Sequence, residues 1–467
     1  MSPETSLLIA SLVPVVFVAT FGACLGSLIN VIVYRLPLGI GLVYPPSRCP
    51  QCETRLTFRE NVPIFGWLLL GGRCRFCRSR ISPEYPMVEA FMAMLFGGLT
   101  AWFYVVPRRA EWLGVPWGLV RPEWAAGPAE QTWPIMVVVL GLMGMLVAMT
   151  LVDAKTYTIP LVLPWVATVL AVVIYPLHAG YLEWVGQTLW SVAPGWRYAI
   201  PTPVGAGQWW WLGAALGGCV GVGVSLLLLR LGLLRRSFED YGEWEAAHLE
   251  GQVAKGTNGE MAKEGEGVEG GGAVKGGSPA ETWIAYPHAR REMVKELAFL
   301  GPIAGMGALG GWLAAAWAAG RATVAANPSV FEAPIVSGPS MPLWLNVLGG
   351  VAMGYLIGGG VVWMVRVLGS IGFGKEAMGM GDVHLMAAVG ACLGWIDATL
   401  AFFGAAFVGV AWAGAASVLG GRAKRAMPYG PFLAVATLLV VLLKPAIEHW
   451  LGVLLQVQPG ETPINIP

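Results

Sequence analysis

Apolar residues in this chain fall in long uninterrupted runs separated by short polar connections, not in the one-sided stripes of a soluble core. Runs of about 20 residues match the hydrocarbon thickness of a bilayer, and a helix satisfies its own backbone within one spanning segment. The pattern predicts helices over 7–34, 87–106, 134–152, 161–177, 208–233, 297–319, 343–368, 383–397, 398–419 and 430–455. Between 383–397 and 398–419 only Trp395, Ile396 and Asp397 mark a turn. The fold class is an all-α polytopic membrane protein of about 8–10 spans. Glu4 is the only early charge and the first apolar run continues to Tyr34, so the N-terminus reads as an uncleaved membrane helix and not as a secretory signal.

Lys and Arg in the short connections set the orientation. Segment 35–86 holds Arg35, Arg48, Arg55, Arg59, Arg73, Arg75, Arg78 and Arg80 against three acidic residues, which places it in the cytoplasm. Counting forward, 153–160, 234–296, 369–382 and 420–429 are then cytoplasmic as well. They carry Arg235, Arg236, Arg290, Arg291, Arg422, Lys424 and Arg425. Loop 178–207 on the other side has one Arg, and loop 107–133 has three. Ten spans put both termini outside.

Composition agrees with this picture: 56% of residues are hydrophobic and only 12% charged, about half the charged fraction of a soluble domain. With a net charge of +1 and no basic stripe, nothing points to a nucleic-acid partner. Segment 251–279 is rich in Gly and charge and lacks apolar anchors, so it reads as a disordered linker. The chain divides into a first helix (1–34), a cytoplasmic metal-binding domain (35–86), membrane helices (87–177), an insertion with two extra spans (178–342), further membrane helices (343–455) and a tail (456–467).

Two clusters carry chemistry. Cys49 and Cys52 form one C-x-x-C pair, and Cys74 and Cys77 form another some 20 residues on. Two such knuckles can converge four thiolates on one tetrahedral Zn²⁺. A pair of disulfides competes with this reading, but stable disulfides are rare in the reducing cytoplasm. With all four positions filled by protein, the zinc is structural. Cys24, Cys219 and Cys392 sit singly in apolar runs and read as small core residues.

The second cluster is acidic. Asp153 ends one span and opens the connection to Pro160, and Asp382 closes Gly379-Met380-Gly381-Asp382 ahead of another span. The topology puts both at the cytoplasmic mouth of the membrane, where ionisable groups are costly and usually functional. Two carboxylates brought close share a proton. The ionised one can then take a proton from water while the protonated one polarises a scissile carbonyl. Gly379 and Gly381 let backbone approach closely at the helix start. Each Asp taken alone could equally cap a helix, and His384 reads as a structural neighbour of Asp382. Most other acidic residues read as loop residues.

In order along roughly 250 residues of the chain, these residues resemble the type IV prepilin peptidase (leader peptidase) family of aspartyl G-x-G-D membrane proteases. The resemblance rests on Gly26-Ser27-Leu28-Ile29-Asn30-Val31 with Tyr34-Arg35-Leu36-Pro37, and on Cys49 to Cys77 with Glu60-Asn61-Val62-Pro63-Ile64 and Trp67-Leu68. It continues through Tyr85-Pro86-Met87-Val88-Glu89, Asp153 with Ile159-Pro160, Gly374-Lys375-Glu376-Ala377-Met378 with Gly379 to Asp382, and Pro428-Tyr429-Gly430-Pro431-Phe432. It implies a multi-pass protein of the bacterial inner membrane, with Asp153 and Asp382 catalytic. Its implied substrates are type IV prepilin or type II secretion pseudopilin precursors, cut after a Gly on the cytoplasmic side. It also implies N-methylation of the new terminus with S-adenosylmethionine as donor. The family usually has eight spans; residues from about 180 to 340 have no counterpart, and the family often has Lys where this chain has His384. A zinc-bearing membrane scaffold or transporter without hydrolase activity is the alternative.

Overall fold

The structure, a computed structural model, describes residues 3–106, 111–112, 115–116, 125, 129–186, 208–238, 240, 244, 287–321, 323–325, 335–337, 339–418 and 428–454. The linker 251–279, the tail 456–467 and the basic residues Arg422, Lys424 and Arg425 lie outside them. The helices are α1 (Pro3–Arg35), the short α2 (Phe65–Leu69), α3 (Glu84–Thr100), α4 (Ala129–Thr156), α5 (Val162–Trp184), α6 (Gln208–Arg230), α7 (Ala289–Ala319), α8 (Leu343–Phe373), α9 (Met380–Leu393), α10 (Trp395–Val418) and α11 (Gly430–Leu454). A π-helical turn, Ala101–Val105, extends α3. Two small antiparallel pairs join Glu111–Trp112 to Val115–Pro116 and Thr323–Ala325 to Ile335–Ser337.

Among the described residues, eight helices are long and apolar enough to cross a membrane, and α9 and the start of α11 are shorter apolar helices. Each of the ten predicted spans therefore has its helix. The turn between α9 and α10 is a single residue, Gly394, at φ +100°, a conformation that side-chain-bearing residues rarely adopt.

The chain forms two compact units. One comprises residues 1–216, 309–362 and 380–467; the other comprises 217–308 and 363–379. In the first, α4 is the central helix: it touches α1, α5, α9 and α11, and its Ile135, Val138, Leu142, Met149 and Val152 are fully buried. Lipid tails are as apolar as leucine, so helices in a bilayer associate through close packing at small residues. The structure follows that rule. Gly22 and Gly26 of α1 lie against Met92 and Glu89 of α3, where an added Cβ would come within 2.5 and 2.7 Å. Gly354 and Gly358 of α8 meet Gly390 of α9 backbone to backbone. Along α6 and α7, Gly213 faces Gly310, Gly217 faces Met306 and Gly221 faces Ile303.

Two expectations need correction. Helix α7 begins at Ala289, eight residues before the predicted 297, because its charged first two turns bury Glu292 and Glu296 against partners. The acidic residues are also less confined to loops than expected: Glu89, Glu292, Glu296 and Asp397 are buried within helices. The Asp397 carboxylate takes a 3.0 Å ion pair from Lys444.

Candidate active site and metal centre

The four predicted cysteine ligands come together. Their sulfurs all lie within 4.8 Å of one another, with Cys49 Sγ 3.8 Å from Cys77 Sγ and Cys52 Sγ 4.0 Å from Cys74 Sγ. Tetrahedral zinc with Zn–S bonds near 2.3 Å requires sulfurs about 3.8 Å apart, so the cluster fits that ion. The thiols are free, and these separations far exceed a disulfide bond.

Local backbone explains the convergence, because the two knuckles repeat one geometry. The Cys49 N–H donates to Thr54 C=O and the Glu53 N–H to Cys49 C=O; the Cys74 N–H donates to Ser79 C=O and the Arg78 N–H to Cys74 C=O. In both, the residue after the second Cys is left-handed: Glu53 at φ +54° and Arg78 at φ +57°. Backbone N–H groups turned toward the sulfurs favour thiolate. The N–H of Cys52 does most to pull the Cys49 thiol down to about 6, against an opposing effect of burial. The Ser79 hydroxyl, donating to Cys77 Sγ from 3.1 Å, leads in lowering that thiol.

Between the knuckles, the Thr57 N–H donates to Glu60 Oε2 at 2.7 Å, and the Trp67 indole N–H donates to Ile81 C=O at 3.2 Å. The module is tied to the membrane helices by Glu89 of α3, whose Oε2 accepts the Ile64 N–H at 2.6 Å. Arg35, at the end of α1, donates to the carbonyls of Gly41, Leu42 and Pro45 and so folds the following loop back on the helix end. Sequence reasoning placed Glu89 at a helix start but missed this tether, because the partner is a backbone N–H twenty-five residues away.

The two aspartates come from different elements. Asp153 is buried in the last turn of α4, which runs on to Thr156, three residues further than the predicted connection allowed. Its Oδ2 accepts the Gly430 N–H at 3.2 Å from the start of α11. A Cβ at Gly430 would sit 2.6 Å from that oxygen, so glycine is what lets the carboxylate reach the N–H. Asp382 is half-buried in the first turn of α9, where the helix N-terminus favours negative charge. Gly381 brings that turn against Ile159: an added Cβ would lie 2.9 Å from the Ile159 Cβ.

Asp153 borders the segment Tyr429–Gly430 directly. Burial first, and then the charge of Asp382, push the Tyr429 phenol up, and Tyr429 adjoins the residue that holds Asp153. Tyr429 is itself anchored by its hydroxyl donating to Phe402 C=O at 3.2 Å. The Pro428–Phe432 run was noted in the sequence only as a helix start; its hold on Asp153 depends on tertiary contact. Gly379 lies three residues ahead of Asp382, just before α9 begins at Met380. His384 is two residues beyond Asp382, about 200° around the helix, so it faces another direction.

Comparison with known proteins addresses the metal module directly. Residues 20–103 match the family described as Bacterial Peptidase A24 N-terminal domain. Over that stretch the chain is similar to a peptidase A24 N-terminal domain. The stretch comprises α1 from Thr20, the four-cysteine module and α3 with its π turn. The resemblance to type IV prepilin peptidases thus holds in this part of the chain. A prepilin leader peptidase/N-methyltransferase of Myxococcus xanthus is 46% identical over 81 residues, 17% of this chain and 24% of that relative. One from Klebsiella pneumoniae is 43% identical over 86 residues, 17% of this chain and 38% of the relative. A type 4 prepilin-like proteins leader peptide-processing enzyme of Escherichia coli is 36% identical over 93 residues, 16% of this chain and 35% of the relative. The chain therefore spans less than half the length of the curated relatives it matches. Neither Asp153 nor Asp382 falls within residues 20–103. No solved structure matches.

Proposed function

We propose that this protein is a membrane-embedded aspartyl endopeptidase that removes the leader from type IV prepilin or type II secretion pseudopilin precursors at the cytoplasmic face of the bacterial inner membrane. The observation that carries the reading is the packing beside each acid: the Gly430 N–H holds Asp153, and Gly381, next to Asp382, lies against Ile159, six residues after Asp153. The relatives' names, which speak of prepilin leader removal, support the substrate class.

In the proposed reaction one carboxylate is ionised and the other protonated, as close carboxylates require. The ionised group takes a proton from a water whose oxygen attacks the scissile carbonyl carbon, while the protonated group gives its proton to the carbonyl oxygen. Collapse of the tetrahedral intermediate breaks the C–N bond: the leaving amine takes a proton from the carboxyl that accepted one from water, and one hydroxyl of the intermediate returns its proton to the other carboxylate. The zinc proposed for Cys49, Cys52, Cys74 and Cys77 has a structural role, since four thiolates leave no open position. N-methylation of the new terminus, named in the relatives, is a second proposed activity, with S-adenosylmethionine as the donor that the resemblance implies.

Membranes containing the protein, incubated with a precursor carrying Gly at the cut site, are expected to yield a mature product whose mass reports cut position and methylation together. Asp153→Asn and Asp382→Asn should each insert normally yet lose cleavage by roughly 10³-fold or more. Cleavage at the wild-type rate in either variant removes that residue from the pair.

A further inference from the structure

The second unit contains a buried charged network that the proposed hydrolysis does not use. Arg366, near the end of α8, and Glu296, in the second turn of α7, each have side chains only 2% exposed. Arg366 Nε donates to Glu296 Oε1 at 2.9 Å. Its Nη1 donates to Glu376 Oε1 at 2.6 Å and to the Met378 carbonyl. The Phe238 ring lies 5.3 Å from the guanidinium carbon. Glu296 accepts two further hydrogen bonds, from Trp363 Nε1 at 2.7 Å and from Ser237 Oγ at 2.8 Å.

Three donors on one carboxylate fix where Glu296 Oε1 and Oε2 point, and a planar guanidinium must follow its acceptor. The orientation of Arg366 is therefore set by Glu296, and the other edge of Arg366 grips the segment Gly374–Met378. That segment is held in two further ways. The Ala377 N–H donates to Ser370 Oγ at 3.1 Å. Gly369 leaves room for Ala377, whose Cβ would lie 2.8 Å from a Cβ added there. Gly374, at φ +66°, ends α8 and turns the chain into this clamp. Four residues after Met378, the chain reaches Asp382.

We propose that Glu296 and Arg366 are positioning residues for the second carboxylate. Glu296 orients Arg366, and Arg366 pins the Gly374–Met378 segment from which the chain runs into Asp382. The inference rests on reading Asp382 as one of the catalytic pair. Glu296 belongs to the insertion 178–342, which thereby supplies part of the network that holds Gly374–Met378. Stability alone does not demand such a pair, because buried ion pairs are often replaceable by apolar residues without loss.

The test uses the full-length protein with Arg366→Lys and Glu296→Gln, which keep size while removing the fork or the charge. Two readouts separate positioning from simple destabilisation. Trypsin cleavage after Lys375, followed by mass spectrometry, reports whether the segment is pinned and needs no enzymatic activity. Precursor cleavage reports kcat and KM on protein normalised for folded fraction. We expect nicking at Lys375 to rise several-fold in both variants, with kcat lower by about tenfold or more and KM little changed. Unchanged nicking in both variants overturns the inference whatever the activity, as does a loss of kcat that merely tracks the loss of folded protein. Equal activity of wild type and Asp382→Asn would instead sink the catalytic reading of Asp382, and the nicking result would still decide whether Arg366 pins the segment.

Discussion

Gly430 is the residue on which the geometry of the acidic site turns. It donates its N–H to Asp153 Oδ2, and the space a side chain would need is taken by that same oxygen, 2.6 Å from an ideal Cβ. Gly430→Ala must push the carboxylate away or tilt the start of α11. Displacements of this size cost roughly 100-fold in rate when they fall on a reacting group. Precursor cleavage by Gly430→Ala is expected to drop by that order, with the melting temperature little changed; activity within twofold of wild type would exclude a positioning role for the N–H. Glu53 and Arg78 make the opposite case. Each occupies a left-handed conformation that suits glycine, costing about 1–2 kcal/mol for an ordinary residue. Glycine's greater chain entropy returns about 0.5–1 kcal/mol of that. Glu53→Gly and Arg78→Gly should therefore each stabilise the module by roughly 0.5–1 kcal/mol, read as slower zinc release to a competing chelator.

Among elements, the four-cysteine module has the least core of its own: Cys49 and Cys74 are buried, whereas Phe58, Phe65, Leu69 and Phe76 are exposed. Its folding is therefore expected to depend on the proposed zinc. One zinc per chain is expected by elemental analysis, and Cys74→Ser or strong chelation should release it and open 47–81 to proteolysis while α4 and its neighbours stay folded. This module was the most legible part of the sequence, because C-x-x-C spacing constrains chemistry locally. Spanning helices were legible too, since runs of apolar residues have few other uses, although their ends were not. Helix α7 extends eight residues into a charged stretch because Glu292 receives the Phe238 N–H at 2.9 Å, a partner 54 residues away that no window of sequence reveals. The aspartates could be picked out by their position at span ends. Gly430 and Tyr429 could not be assigned to them, because 277 residues separate Gly430 from Asp153.

At the scale of the whole molecule, ten apolar helices and an even number of added crossings in 178–342 leave both aspartates on the same side of the membrane in the sequence-based topology. Not all of the ten helices are long enough to cross unaided. Helix α9 has 14 residues against 31 in α8, so it rises about 21 Å where a bilayer's hydrocarbon core is about 30 Å thick. Val383 and Leu385 to Leu393 of α9 are buried by neighbouring helices and do not face lipid, so the shortfall leaves room for a water-filled dimple above one end of the helix. Asp382 stands in the first turn of α9, so such a dimple would lower a solvated carboxylate below the headgroups, toward the depth at which a substrate's hydrophobic stem begins. Reconstituted into bilayers of graded acyl-chain length, the protein should show the proposed precursor cleavage fastest in thin ones and slower as the chains lengthen; a rate indifferent to thickness would show that the short helix creates no such mismatch.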